Sequence, residues 1–161
     1  MSSPPLVSAS DDLLQLDRQV CFALAVTNRT VLTIYRPLLE PLGLTHPQYL
    51  VMLALWEQSP RSVRSIGDVL MLDSATLSPL LKRLEKADLV TRERSATDER
   101  QLDIELTSAG RAMRERALDI PPSVVSALGV SLADLEELRA VLWRINAAAR
   151  DSAIASTKDS E

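Results

Sequence analysis

Few side chains in this 161-residue sequence can do more than carry charge or pack, and they are scarce enough to weigh one at a time. There is one cysteine, Cys21, and one histidine, His46. As a thiolate, a cysteine is a nucleophile; as a thiol, it is among the most buried residue types and packs like a small hydrophobe. Cys21 lies one position off an apolar stripe, so its setting alone favours packing. A single cysteine cannot close an internal disulfide, and one cysteine with one histidine leaves too few soft ligands for a closed zinc site. No metal and no cofactor are therefore expected. A second group is polar: Ser74, Thr76, Ser78, Lys82 and Arg83 in one stretch, and Asp98-Glu99-Arg100 in another. Short hydroxyls followed by cations suit base edges and phosphates, and an arginine at a hairpin tip suits a narrow minor groove. The plainer alternative for the cations is a solvated helix face. The overall charge of −4 speaks at first against nucleic acid. Residues 74–94, however, hold five cations against three acids, and the excess acid lies in the flanks, chiefly at Asp11, Asp12, Asp17, Asp134, Glu136 and Glu137.

The elements that must position these residues follow from periodicity. Residues 1–11 read as a disordered tail. From Leu13, apolar or small residues recur at Leu16, Val20, Leu24, Thr27, Val31, Tyr35, Leu38 and Leu42, which is one stripe along a long helix. Pro37 ends or kinks it, and so long an apolar face hints at a partner helix. Thr45 with Gln48 predicts a capping box, with Leu44 stapled to Tyr49, at the start of a central helix closed by Ser59-Pro60. Ser62 caps a short helix through Leu70, and Asp73 or Ser74 a further one to about Ala87. Pro79 leaves two choices there, a later start at Ser78 or a local kink. Gln101–Leu106 alternates as a half-buried strand, with Leu89–Arg94 as its partner and Ser95–Arg100 as the loop. Thr107 caps a helix ending before Pro121-Pro122, and a last helix runs from Ser131 to about Arg150, with a frayed tail at 151–161. Three helices followed by a hairpin is the order of a winged helix-turn-helix. The fold class is thus mainly α with a small β-hairpin.

Asp98-Glu99-Arg100, followed by Leu106-Thr107 and Gly110, resembles the wing signature D-x-R-x5-L-T-x-x-G of the MarR family. Leu72–Glu85 is similar to that family's recognition helix, and Val20–Leu24, Tyr35–Leu39, Thr45–Leu50 and Trp56-Glu57 extend the resemblance over about residues 12–150. It is strongest to the branch of organic hydroperoxide resistance repressors. The resemblance implies a homodimer on a pseudopalindromic operator, with a DNA-binding head at about 45–106 and dimerisation helices at 12–44 and 107–150. It also implies a redox role for Cys21: the thiolate attacks an organic hydroperoxide, and tyrosine hydroxyls, one matching Tyr35, stabilise the anion. On one helix Cys21 and Tyr35 are roughly 21 Å apart, so they can meet only between antiparallel subunits. Two positions depart from the pattern. His46 stands where relatives have a second tyrosine, and Ala25 where they have another aromatic. His46 is either a neutral group bonded to the Cys21 sulfur or a surface histidine without that contact.

With one cysteine, the sulfenic acid must condense with a small cellular thiol, cyclise onto a backbone nitrogen or overoxidise. A mixed disulfide that releases DNA is the expected outcome. Asp98 is expected to pair with a nearby arginine and brace the wing. The alternative is a repressor released by a small aromatic ligand, with Cys21 incidental. An enzyme is not expected, since nothing resembles a peroxidase scaffold. With no membrane span and no secretory signal in the sequence, the expected location is the cytoplasm.

Overall fold

A computed structural model describes residues 14–158, which divide into two compact units between Ile120 and Pro121. In the first, the apolar stripe forms helix α1 over Val20–Leu39, rather than from Leu13, which lies outside the described residues. A 3-10 turn at Leu16–Arg18 precedes it, and Gln19 is extended, so the backbone leaves the helix while the apolar period continues. The helix passes Pro37, ends at Leu39 and gives way to a turn closed by Gly43 at φ 67°.

Helix α2 (His46–Glu57) starts in the predicted capping box. Thr45 Oγ1 accepts from the Gln48 N–H at 3.4 Å, and Gln48 Oε1 accepts from the Thr45 N–H at 2.9 Å. Leu44 and Tyr49, at the staple positions, are both buried. So are Val51, Met52, Ala54 and Leu55, which makes α2 the central element.

Strand β1 (Arg61–Ser62) leads into α3 (Val63–Leu70), where Ser62 Oγ accepts from the Ser65 N–H at 3.1 Å. Helix α4 (Ser74–Lys86) is capped by Asp73, whose Oδ1 accepts from the Thr76 N–H at 2.7 Å. That decides the Pro79 question: the helix starts early and runs through the proline, not from Ser78. The missing N–H of Pro79 removes one bond, to the carbonyl four residues back. Burial of Leu77, Leu80, Leu81 and Leu84 holds α4 in place regardless.

Strands β2 (Val90–Arg94) and β3 (Leu102–Leu106) pair antiparallel in register from Val90 opposite Leu106 to Arg94 opposite Leu102. β1 adds to the far side of β3, giving the order β1-β3-β2, so the predicted hairpin is part of a three-stranded sheet. Two residues are too few to show alternation, which is why β1 leaves no trace in the sequence pattern. Helix α5 (Ser108–Ala117) is capped by Thr107, whose Oγ1 accepts from the Gly110 N–H at 3.0 Å.

The second unit holds α6 (Ile120–Leu128), apart from its first residue, and α7 (Leu132–Lys158). Helix α5 ends before Pro121-Pro122, as expected; the pair then opens α6, a helix the sequence pattern did not announce, in the first turn where a backbone N–H has no helical partner anyway. Ser131 precedes α7 and accepts from the Asp134 N–H at 3.1 Å. The helix continues past Arg150 to Lys158, eight residues beyond the expected end. Residues 1–13 and 159–161, where the remaining tail assignments fall, lie outside the described residues.

Candidate nucleic-acid interface and thiol site

Helix α4 separates its two faces cleanly. At about 100° per residue, the four buried leucines lie on one side and Lys82 and Arg83 on the other, with Thr76 on the flank, all three exposed. Ser74 is exposed at the margin, and Ser78 is half-buried. A cleft of about 510 Å³ opens between α3, the start of α4 and the wing, and both Ser74 and Arg100 line it. The structure thus brings the hydroxyl end of α4 and the wing arginine to one concave surface. Arg64 of α3, exposed on the same cleft, was missed in the sequence because it stands alone, outside any basic run.

The wing is braced, but not by the predicted Asp98–arginine ion pair. Asp98 Oδ1 accepts from the backbone N–H of Arg100 at 3.0 Å, and Oδ2 accepts from the Gln101 amide at 3.3 Å. A carboxylate two residues ahead of an N–H closes a tight turn of its own chain more readily than it reaches a mobile guanidinium. Arg100 is left exposed at the tip. Arg92 of β2 makes the ion pair instead, to Glu85 of α4, with Nη2 at 2.6 Å and Nε at 2.8 Å from the same oxygen. This pair ties the wing to α4. Asp73 is held below the ordinary carboxylate value by the N–H and hydroxyl of Thr76, so the cap is ionised at neutral pH.

At the other end of α2, four aromatic rings make a column. The Tyr35 and His46 ring centroids are 4.6 Å apart, edge to face; Tyr35 and Tyr49 are 5.9 Å apart, and Tyr49 and Trp56 6.3 Å. His46 is half-buried against Tyr35, and burial pushes its pKa down from 6.5. Burial raises the Tyr35 pKa, and burial followed by the Tyr35 charge raises that of Tyr49. At neutral pH the pair therefore presents a neutral imidazole and a phenol O–H, both able to donate a hydrogen bond without adding charge. A cavity of about 670 Å³ adjoins His46, walled by Leu32, Leu39, Leu44 and Pro47, with Arg36 at its rim.

Cys21 is exposed in the first turn of α1, which runs unbroken past Tyr35. The chain brings Tyr35 and His46 together but does not bring Cys21 to either. Around Cys21, α1 exposes Val20, Phe22, Leu24 and Val26.

A three-helix head followed by a paired wing, with hydroxyls and cations outward on its second helix-turn-helix element, defines a winged-helix DNA-binding protein. The pattern of the family described as "Transcriptional regulator SarA/Rot" matches residues 33–116. The organic hydroperoxide resistance transcriptional regulator of Bacillus subtilis is 42% identical over 134 residues, which cover 83% of this chain and 91% of that protein. The regulator MgrA of Staphylococcus aureus is 37% identical over 135 residues, covering 83% and 92%. Reduced AbfR bound to DNA, a regulator known from Staphylococcus epidermidis, superposes with a TM-score of 0.72 at 36% identity, covering 84% of this chain and 92% of that one. The chain belongs to the MarR family of winged-helix transcriptional regulators, within which it is similar to the organic hydroperoxide resistance branch. It is a DNA-binding regulator, not an enzyme. Among the described residues, no single helix is long and apolar enough to cross a membrane.

Proposed function

We propose that this protein is a cytoplasmic repressor that senses organic hydroperoxides through Cys21 and leaves its operator when that cysteine is oxidised. The observation that carries the reading is the Tyr35–His46 pair: two neutral hydrogen-bond donors packed ring to ring, with no thiol beside them in their own chain. In a homodimer with antiparallel α1 helices, Cys21 faces the partner's Tyr35 and the partner's His46. The exposed apolar residues of α1, and Leu138, Trp143 and Ile145 on α7, are the surfaces such a dimer would cover.

The chemistry needs one protein thiol and one small thiol from solution. The Cys21 thiolate attacks a hydroperoxide oxygen; the S–O bond forms as the O–O bond breaks, and the alkoxide leaves as the alcohol after taking a proton. Sulfur is oxidised to the sulfenic acid, which the tyrosine O–H and imidazole N–H can hold by hydrogen bonds. A small cellular thiol then attacks that sulfur, forming a mixed disulfide and releasing water. Overoxidised AbfR has been solved on DNA. Release is accordingly assigned to the bulkier mixed disulfide. On the operator, two α4 helices enter successive major grooves about 34 Å apart, contacting DNA through Ser74, Thr76, Ser78, Lys82 and Arg83. Arg100 enters the flanking minor groove, steadied by Asp98.

One observation favours a second reading, release by a small aromatic acid with Cys21 incidental: the cavity beside His46, which offers leucine walls and the Arg36 cation, with Glu40 also on its lining. Operator binding by wild type and Cys21→Ser, each with and without cumene hydroperoxide and a small thiol, separates the two. The proposal requires release of wild type alone, with the thiol adduct on Cys21 by mass spectrometry. Release of Cys21→Ser to the same extent would overturn it.

A further inference from the structure

The aromatic column does not stop at the sensor. We propose that Trp56 is a positioning residue that transmits the state of the Tyr35–His46 pair to the base of the wing. The signal rests on the function proposed above; the route rests on the column itself.

His46, Tyr49 and Trp56 follow one another at three and seven residues on α2, so they share one face of a single rigid helix. Tyr49 is buried and touches both neighbours in the column, Tyr35 above and Trp56 below. Trp56 Nε1–H donates at 2.9 Å to the carbonyl of Gly110, in the first turn of α5. An indole has only that one donor, and of the four glycines Gly110 leaves the least room for a side chain. A Cβ at that position would overlap the Leu89 carbonyl oxygen. The same Leu89 carbonyl accepts from the Thr107 N–H at 3.1 Å, and the Asp88 carbonyl from the Thr107 hydroxyl at 2.6 Å. Leu89 leads into β2, and Thr107 follows the last residue of β3. The Trp56 hydrogen bond therefore ends where both wing strands meet α5. Packed rings of this kind shift between discrete arrangements rather than yielding continuously. A displacement of the Tyr35–His46 pair moves Tyr49, then the indole, and with it the anchor of the wing that carries Arg100.

Two variants test the route. Trp56→Phe keeps a ring and loses the N–H; Tyr49→Leu keeps the hydrogen bond and interrupts the column above it. The DNA probe is a duplex enriched by the reduced protein from a random-sequence pool. Both variants should form the Cys21 thiol adduct at the wild-type rate, while the loss of duplex affinity on adduct formation shrinks about fivefold. A general loss of packing would lower both affinities together and leave their ratio at the wild-type value, which would overturn the proposal. A double-mutant cycle of His46→Ala with Trp56→Phe, measured on reduced protein, isolates the route from the signal. Effects on duplex affinity that depart from additivity by about threefold or more support it, even if oxidation of wild type releases no DNA and the sensor reading fails. Additive effects sink the route, whatever peroxide does.

Discussion

Replacing Gly110 by alanine sets two effects of opposite sign against each other. Gly110 sits inside α5, where alanine is favoured over glycine by about 1 kcal/mol on helix propensity alone. Its Cα, however, lies against the Leu89 carbonyl, which an added methyl would overlap, with Leu106 Cδ2 only 3.1 Å away. The leucine methyl can swing aside. The carbonyl cannot, because it is fixed by the Thr107 N–H. Relief must come from moving α5 off the sheet, which strains or breaks the Thr107–Leu89 and Trp56–Gly110 hydrogen bonds at about 1 kcal/mol each. Overpacking against the backbone adds about 2 kcal/mol. The net is a loss of about 3 kcal/mol, which for a chain of this length lowers Tm by about 6–12 °C. Thermal and urea unfolding of Gly110→Ala read it directly. Gly67→Ala supplies the internal scale: its Cβ would stand 2.8 Å from the Leu72 carbonyl oxygen, short of an ordinary 3.4 Å contact by only about 0.6 Å, so its loss should be clearly smaller. A Gly110→Ala protein as stable as wild type, or more so, would refute the claimed close approach of α5 to the wing.

Three more outcomes follow from the geometry. Arg100→Ala should weaken operator binding about tenfold while leaving dimerisation and Cys21 reactivity as in wild type; unchanged affinity in a gel-shift titration would remove the wing arginine from the interface. Arg92→Met should cost about 1 kcal/mol at low salt, because the Glu85 pair is partly exposed, and less at high salt; urea titrations at two ionic strengths measure the difference. His46 has a folded-state pKa below 6.5, so as pH falls the unfolded chain takes the proton first. Its contribution to stability is complete above about pH 6.5 and is lost as pH falls through the folded value. Wild type should therefore lose stability more steeply than His46→Phe between pH 7 and 5, and parallel profiles would contradict the burial of the imidazole.

The head was legible because its signals are local. Thr45 with Gln48, Asp73 and Thr107 announce helix starts through their own backbone bonds, and the alternation of residues 101–106 fixes which face of β3 is buried. What the sequence withheld depends on contacts far along the chain. Trp56 meets Gly110 across 54 positions, and β1 exists only because β3 is there to pair with it. Asp98 was placed correctly as a brace but given the wrong partner, since residue types alone cannot distinguish an ion pair from a turn closed on a backbone N–H. Pro121-Pro122 correctly marked where α5 has ended, but its second role, opening α6, went unread because prolines stop helices more conspicuously than they begin them. The site divides the same way. Tyr35 and His46 were named from the motif, whereas their ring contact, and the buried Tyr49 and half-buried Trp56 beneath them, required the fold.

Helix α1 holds Cys21 and Tyr35 on one rod, too far apart to serve each other. In the dimer proposed above, that separation has a genetic consequence. Chains carrying Cys21→Ser alone form only dimers without a thiol, and chains carrying Tyr35→Phe alone form only dimers whose thiols lack the phenol. Mixed in one cell, the two defective alleles assemble some heterodimers in which the intact Cys21 of one chain faces the intact Tyr35 of the other. One complete sensor returns per heterodimer, and the two mutations complement each other within a single gene.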